Sequence, residues 1–282
     1  IRYINEPVMI TDQKLLSLLL GLYKKSITKK AKFNNIMEMM EGVDQNSCCL
    51  DIGSDNGILS YLLRENGGSW HSADLDIETV NSIESVVSSN VAMMTETEIP
   101  HSDNFFDCII IIDLLEHLKD ENTALSEIQR VLKPGGLLIA NVPHTKKGSV
   151  IRALRLAVGL TDEKHGHVRP GYNLEQLSSL LGSHFVITKS QTYSRFFTEL
   201  IDILLSLAAE RSSGAQTGRK GVVMTSSAIK SAKKALKLYT LVYPLIWFIS
   251  KLDLLIPFTQ GHSLIIRANS TKQQPDTFIA SS

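Results

Sequence analysis

The chain has 282 residues, with 29 Lys and Arg balanced by 29 Asp and Glu, and 43 % of its residues are hydrophobic. That length accommodates one large α/β domain with an insertion, or two small domains, and the balance excludes the overall basic field of a nucleic-acid binder. The balance conceals a split, because from Leu207 onward ten basic residues face three acidic ones, a net charge of +7.

The opening stretch "IRYINEPVMI" starts on Ile and has no basic segment followed by a long apolar run, so no secretory signal is read there. Cys48, Cys49 and Cys108 lie in or beside apolar runs, where buried free thiols belong, and this points to a reducing, cytoplasmic setting. Residues 12–42 alternate apolar and Lys-rich stretches with a helical period, which predicts one or two amphipathic helices capping a core. From there strands and helices alternate. "SCCLDIG" reads as a strand, "ILSYLLREN" as a helix, "WHSADLD" as a strand, "IETVNSIESVVSS" as a helix and "FDCIIIID" as a buried strand; "ENTALSEIQRVL" is a helix before "KPGG", and "LLIANVP" a strand. This rhythm predicts an α/β, Rossmann-like doubly wound sheet, mostly parallel, with helices on both faces.

Beyond it come a helix in "SVIRALRLAVGL", the polar loop "TDEKHGHVRPGY" and a helix opening at Asn173 with Gln176 set for a capping box. "HFVITKS" and "SLIIRAN" supply two last strands separated by about 70 residues, too many for a plain loop. Most of that gap is helical in pattern, broken by a Ser/Gly-rich linker at 212–221.

A glycine turn closes the first strand in "LDIGSDNG". Gly53 and Gly57 let backbone N–H groups approach a ligand at a helix N-terminus, although a tight strand-to-helix turn needs glycine for φ alone. The second strand ends at Asp74, about 20 residues on, where an acid can accept both hydroxyls of a ribose; the alternatives are that Asp74, or Asp76, caps the next helix.

Together, "LDIGSDNG", "ADLD", "IPHSDNFFDCIIIIDLLEHL" and "EIQRVLKPGGLLIANVP" resemble the class I S-adenosylmethionine-dependent methyltransferases, specifically the type 11 group, over about residues 45–190. The resemblance implies a seven-stranded sheet whose antiparallel last strand is "SLIIRAN", and S-adenosylmethionine as cofactor. It implies that Asp51, Gly53, Ser54, Asp55 and Gly57 line the methionine end of the cofactor, that Asp74 and Leu75 hold its ribose, that Glu96 and Thr97 lie near the adenine, and that Asp113, through its backbone, and Leu114 meet the amino-acid end. Two departures stand out. Asp55 replaces the family's middle glycine, placing a carboxylate near the cofactor's own unless it turns outward, and Thr95 stands where an acid is usual near the adenine.

For proton transfer, His117, His144, His165 and His167 follow the fourth and fifth strands, each with a solvated loop histidine as the alternative. Asp113, Glu116 and His117 also resemble the acid-x-x-Glu-His run of metal-using methyltransferases, but "EH" is common here in metal-free relatives, and no metal is expected. Arg155, Arg169, Lys146 and Lys147 could meet an acidic substrate group.

The organisation expected is a helical cap at 1–44, a cofactor-binding core at 45–190, a helical insertion at 191–262, the last core strand at 263–270 and a disordered tail at 271–282. In the insertion, "LYTLVYPLIWFIS" is too short to span a bilayer. Residues 230–258 fit a peripheral contact at the inner face of the membrane, or an apolar lid or homodimer seam, with Pro244 and Pro257 breaking a long surface helix. Relatives with this kind of insertion and an "HGHVRPGY"-like loop resemble enzymes of cell-surface glycan or lipid biosynthesis. The expected activity is methyl transfer to oxygen of a small-molecule, lipid or lipid-linked glycan acceptor. A degenerate fold serving as an interaction module, or an RNA methyltransferase, are the other readings, and no nucleic-acid partner is expected.

Overall fold

The computed structural model describes residues 13–146, 148–162, 164, 166–213, 226–256 and 259–273. His165, Lys147, Pro257, residues 214–221 of the linker and 274–282 of the tail lie outside the described residues.

Two N-terminal helices, α1 (Gln13–Lys25) and α2 (Ile27–Met39), meet at Ser26, whose hydroxyl accepts from the Lys29 N–H at 3.2 Å and caps α2. The core then alternates: β1 (Cys48–Ile52), α3 (Ile58–Glu65), β2 (Ser69–Asp74), α4 (Ile77–Val87), β3 (Val91–Met93), β4 (Phe106–Ile112), α5 (Glu121–Val131), β5 (Leu132–Pro143), α6 (Val150–Ala157), α7 (Leu174–Leu181) and β6 (Phe185–Tyr193). Helices α8 (Phe196–Ser213) and α9 (Ser226–Lys251) follow, before β7 (Ser263–Ser270) returns to the sheet. The Asn173–Gln176 capping box forms at the start of α7.

The seven strands lie in the order β3-β2-β1-β4-β5-β7-β6, and β7 runs antiparallel to both its neighbours. Ile109 to Ile112 of β4 are all buried, as a central strand covered on both faces requires. Their alternation divides the core. Leu50, Ile52, Ile109 and Ile111 pack with Leu125, Ile128 and Leu177 on one face, while Cys49, Cys108, Ile110 and Ile112 meet Ile36, Met39, Leu63 and Ile83 on the other. All three cysteines are free thiols.

The segment "EIQRV" is a staple. Arg130 pairs with Glu127 and Asp103 at 2.6 Å each and donates to the carbonyls of Ile99 and His101 at 3.0 Å, fixing the loop before β4 onto α5. Pro244 does not break α9, which runs continuously through it; the ring removes one backbone donor, but Tyr239 and Tyr243 anchor the flanking turns on α1 and α2. Among the described residues no helix is long and apolar enough to cross a membrane.

Candidate functional site

The strand order reverses between β1 and β4, which opens a crevice at their carboxyl ends, the position where open α/β sheets take ligands. Gly53 makes the crevice narrow and backbone-lined. It has φ +87°, and a Cβ there would lie 2.2 Å from the Ile112 carbonyl oxygen, so only glycine lets the β1 turn rest against the end of β4. Gly57 opens α3 in a left-handed conformation, with its missing Cβ 2.9 Å from the Ile83 Cα.

Asp55 does adopt the left-handed conformation, at φ +57°. Its carboxylate turns to Lys29 of α2 at 3.6 Å and is 44 % exposed, which partly neutralises the charge the missing glycine introduces. Asp51, by contrast, is fully buried and saturated: its carboxylate accepts from the hydroxyls of Ser54, Ser60 and Ser72, the last two at 2.7 Å, and lies 3.5 Å from Arg64. Its part, and that of Ser54, is to hold the β1 turn rigid from beneath.

At the end of β2, Asp74 is buried and its Oδ1 accepts from the Asp76 N–H at 3.1 Å. Asp76 is the N-cap of α4, accepting from the Glu78 N–H and the Thr79 hydroxyl. Leu75 is half-buried beside it. Glu96 accepts from the Asp120 N–H at 3.4 Å and Thr97 is exposed, both on the loop between β3 and β4. Leu114 is buried, after the end of β4.

Asp113 sits at φ +47° with its N–H donating to the Asn141 carbonyl at 2.9 Å. Its carboxylate pairs with Lys32 of α2 and accepts from the Asn141 Nδ2 at 2.7 Å, and the Asn141 amide oxygen accepts from the Tyr193 hydroxyl at 2.6 Å. Burial alone would lower the Lys32 pKa, but Asp113, with smaller contributions from Tyr193 and Glu116, raises it overall, so this ammonium is held charged. Sequence reasoning treated residues 12–42 as a structural cap and missed Lys29 and Lys32; nothing in the pattern of α2 separates them from Lys30 between them.

The histidines divide. Glu116, fully buried in the 3-10 turn Leu115–His117, comes together with His117 and His167, all ligating atoms lying within 4.8 Å of one another. These residues could hold a divalent cation. The sequence run included Asp113, whose carboxylate is instead committed to Lys32 and Asn141. His117 Nδ1 lies 3.0 Å from the Gly166 carbonyl and His144 Nδ1 lies 2.8 Å from that of Gly261. A carbonyl can only accept, so in both rings the proton sits on Nδ1 and the basic lone pair on Nε2.

Beside the carboxyl end of β5, Lys146, Arg152, Arg169, Tyr172 and Gln176 line a cavity of about 620 Å³. Arg169 is partly structural, donating to the Leu115 and Leu118 carbonyls at 2.8 and 2.7 Å. Arg155 is directed elsewhere, between Glu199 at 3.3 Å and Asp202 at 3.4 Å of α8. Burial pushes the Glu199 carboxyl up to about 7, with Asp202 adding to the rise and Arg155 opposing it. Burial likewise drives His262, at the start of β7, down to about 3, helped by Lys146, Arg155 and His144.

Residues 50–140 match the family model described as a methyltransferase domain. Among relatives, the chain is 28 % identical over 155 residues to a ubiquinone biosynthesis O-methyltransferase of Chelativorans sp. (strain BNC1), covering 51 % of this chain and 60 % of the relative. It is 33 % identical over 121 residues to a ubiquinone/menaquinone biosynthesis C-methyltransferase of Cellvibrio japonicus, covering 37 % and 47 %. With malonyl-[acyl-carrier protein] O-methyltransferase 1 of Coxiella burnetii it shares 28 % identity, covering 54 % and 51 %. The chain thus spans less than two thirds of each of these relatives. Its fold matches the [4+2]-cyclase SpnF, with TM-score 0.56 and 21 % identity over 87 % of this chain and 84 % of that one. The fold also matches the N-methyltransferase NodS of Bradyrhizobium japonicum WM9, solved with S-adenosylhomocysteine, with TM-score 0.51 and 13 % identity over 93 % of this chain and all of that one.

Proposed function

We propose, on the premise that the chain belongs to the class I S-adenosylmethionine-dependent methyltransferases, that it moves a methyl group to an oxygen of a small-molecule, lipid or lipid-linked glycan acceptor. The observation that carries this reading is the crevice itself. Gly53 brings the β1 turn against the Ile112 carbonyl with no side chain between, and Asp74 lies buried at the end of the neighbouring strand. An amino-acid nucleoside needs that pairing of a backbone-lined slot and a ribose acid.

When bound, S-adenosylmethionine supplies a sulfonium whose methyl is already electrophilic. The chain's own work is then to orient, to exclude water and to take a proton. Asp74 and Leu75 would hold the ribose, Glu96 and Thr97 would flank the adenine, and the β1 turn would receive the amino-acid end, with Asp51 and Ser54 as its rigid base. His144 and His117, each with a basic Nε2, are the groups suited to accept an acceptor hydroxyl's proton. His167 would orient His117, whose ring lies 4.8 Å away edge to face.

For the acceptor, the cavity lined by Lys146, Arg152 and Arg169 fits an anionic group. Helix α9 supports delivery from a membrane surface at the cytoplasmic side. It carries no acidic residue, its sequence places Lys230, Lys233, Lys234 and Lys237 before the apolar turns, and Leu241, Leu245 and Phe248 are 78, 61 and 61 % exposed. On this reading residues 191–262 are a docking insertion on a cofactor-binding core. A homodimer seam over the same face is the competing use of it.

The test is calorimetric titration of S-adenosylhomocysteine into the protein, with Asp74→Ala beside it. Micromolar binding weakened at least tenfold, about 1.4 kcal/mol, is the expected result; no binding by a folded wild-type protein would leave only the interaction-module reading.

A further inference from the structure

Helix α6 turns an apolar face to water. Val150, Ala153, Leu154, Leu156 and Ala157 are all exposed, Val150 by 71 %, Leu156 by 45 % and Leu154 by 36 %. At 100° per residue these five positions fill about 160° of the helix circumference, with no polar residue among them. A surface helix normally does the reverse, burying its apolar stripe and solvating its polar face. The helix cannot roll to hide the stripe. Its other side is fixed by Ile151, packed with Leu160 and Ile203, by Arg155 between Glu199 and Asp202, and by Arg152, which pairs with Asp162 at 2.6 Å.

The stripe borders the cavity beside β5. Arg152 lines that cavity, and Leu156, one turn further on, neighbours Arg152 at the edge of the stripe. Val168, 54 % exposed, directly precedes Arg169, another lining residue. The lining sets three cations, Lys146, Arg152 and Arg169, against one carboxylate, Glu121, which is engaged by the Tyr172 hydroxyl and by Arg169 at 3.3 Å. Burial lowers the Lys146 pKa, with Glu199 opposing, so an anion placed beside this ammonium offsets its desolvation. A cationic cavity and an apolar stripe therefore meet on one helix. At eight residues α6 is about 12 Å long. A face that short and one helix wide falls well below the ~800 Å² per partner of a stable protein interface, but it suits a single hydrocarbon chain.

We propose that the acceptor is an anionic amphiphile, its charged head held in the cavity by Lys146, Arg152 and Arg169 and its hydrocarbon chain laid along Val150, Leu154 and Leu156 of α6. This rests on the methyltransferase reading and narrows its acceptor to one chemical class. Charge selects the head and the stripe selects the chain, so neither half alone is a full ligand.

The experiment titrates ethyl, butyl and octyl phosphate, each below its micelle concentration, into the protein by calorimetry, with S-adenosylhomocysteine alongside. Octyl phosphate should bind about thirtyfold more tightly than ethyl phosphate, since α6 withdraws each added methylene from water on one side only. Leu154→Gln and Leu156→Gln together should cut that preference to about threefold and leave ethyl phosphate within about twofold, which also reports an intact cavity. Lys146→Gln should weaken all three phosphates alike, by about tenfold, and keep the preference. Binding independent of chain length, or a preference that survives the double variant, would overturn the proposal. So would loss of self-association or of vesicle sedimentation in the double variant with octyl phosphate binding unchanged, which would assign the stripe to a second copy or to a bilayer. A wild type that binds S-adenosylhomocysteine and does not distinguish the phosphates would remove the α6 site and leave the methyltransferase reading standing. A folded wild type that binds the phosphates and not S-adenosylhomocysteine would overturn both.

Discussion

The two sides of the crevice are built differently. On the β1–β2 side the contacts are local: Ser54 and Ser60 bond to Asp51 within nine residues, and Asp76 caps its own helix. On the β5–β7 side the walls come from distant chain. His144 meets the Gly261 carbonyl 117 residues on, Phe197 donates to Asp253 at a separation of 56, and Arg155 reaches Glu199 at 44. On the proposed reading the first side would hold a nucleoside, and the second would set the acceptor without disturbing the first.

The sharpest way to break the local side is Gly53→Ala. The new Cβ would meet backbone, not a flexible side chain, at a φ that L residues rarely adopt. A loss of about 3 kcal/mol is expected, a fall in Tm of roughly 6–12 °C for a chain of this size, together with loss of S-adenosylhomocysteine binding. A calorimetric scan with unchanged Tm would show that β1 and β4 do not touch as described.

That difference also explains what the sequence disclosed. Strand alternation, the glycine turn, the Asp74 position and the antiparallel seventh strand are short-range patterns or belong to a recognisable order of segments. Lys29 and Lys32 are not of that kind: in "ITKKAKFNN" they are two of three lysines, and only the docking of α2 selects them. Glu199 is one acid in an apolar helix, and its environment is made by Arg155, Asp202 and Asp253 from three other turns of chain. Pro244 misled in the opposite direction, since a helix braced by tertiary contacts tolerates a proline that an isolated one would not.

The distant side is tested next by Glu199→Gln. Its carboxyl rises from an ordinary 4.5 to about 7 in the folded protein, so between those values the folded state binds more protons than the unfolded. Stability from this group is full below pH 4.5 and is lost as pH rises through 7, by about 3 kcal/mol at 1.36 kcal/mol per unit. Urea unfolding at pH 4.5 and pH 7.5 should show the wild type losing that much more than the variant, whose amide does not titrate. Parallel pH dependence in the two proteins would mean that Glu199 is solvated.

Phe248→Glu probes the outer face of the same side. It should reduce sedimentation with vesicles containing anionic lipid about tenfold, near 1.4 kcal/mol, and leave S-adenosylhomocysteine affinity unchanged. Vesicle binding that survives the substitution, with a concentration-dependent change in mass that does not, would assign the face to a homodimer.

Asp55→Gly returns to the local side and should do least. The substitution supplies the glycine that such turns usually carry, at a φ of +57° that glycine adopts without strain, but it removes the Lys29 partner at 3.6 Å. Both side chains of that pair are more than a third exposed, so solvent screening holds its worth to roughly 0–1 kcal/mol. Relief of the left-handed aspartate is of similar size, and the two oppose each other. Stability should therefore change by no more than about 0.5 kcal/mol, and cofactor affinity by less than about threefold at 0.1 M salt. A gain of tenfold or more in S-adenosylhomocysteine binding would mean that Lys29 does not neutralise Asp55, and that the carboxylate faces the crevice instead of the helix that bridges it.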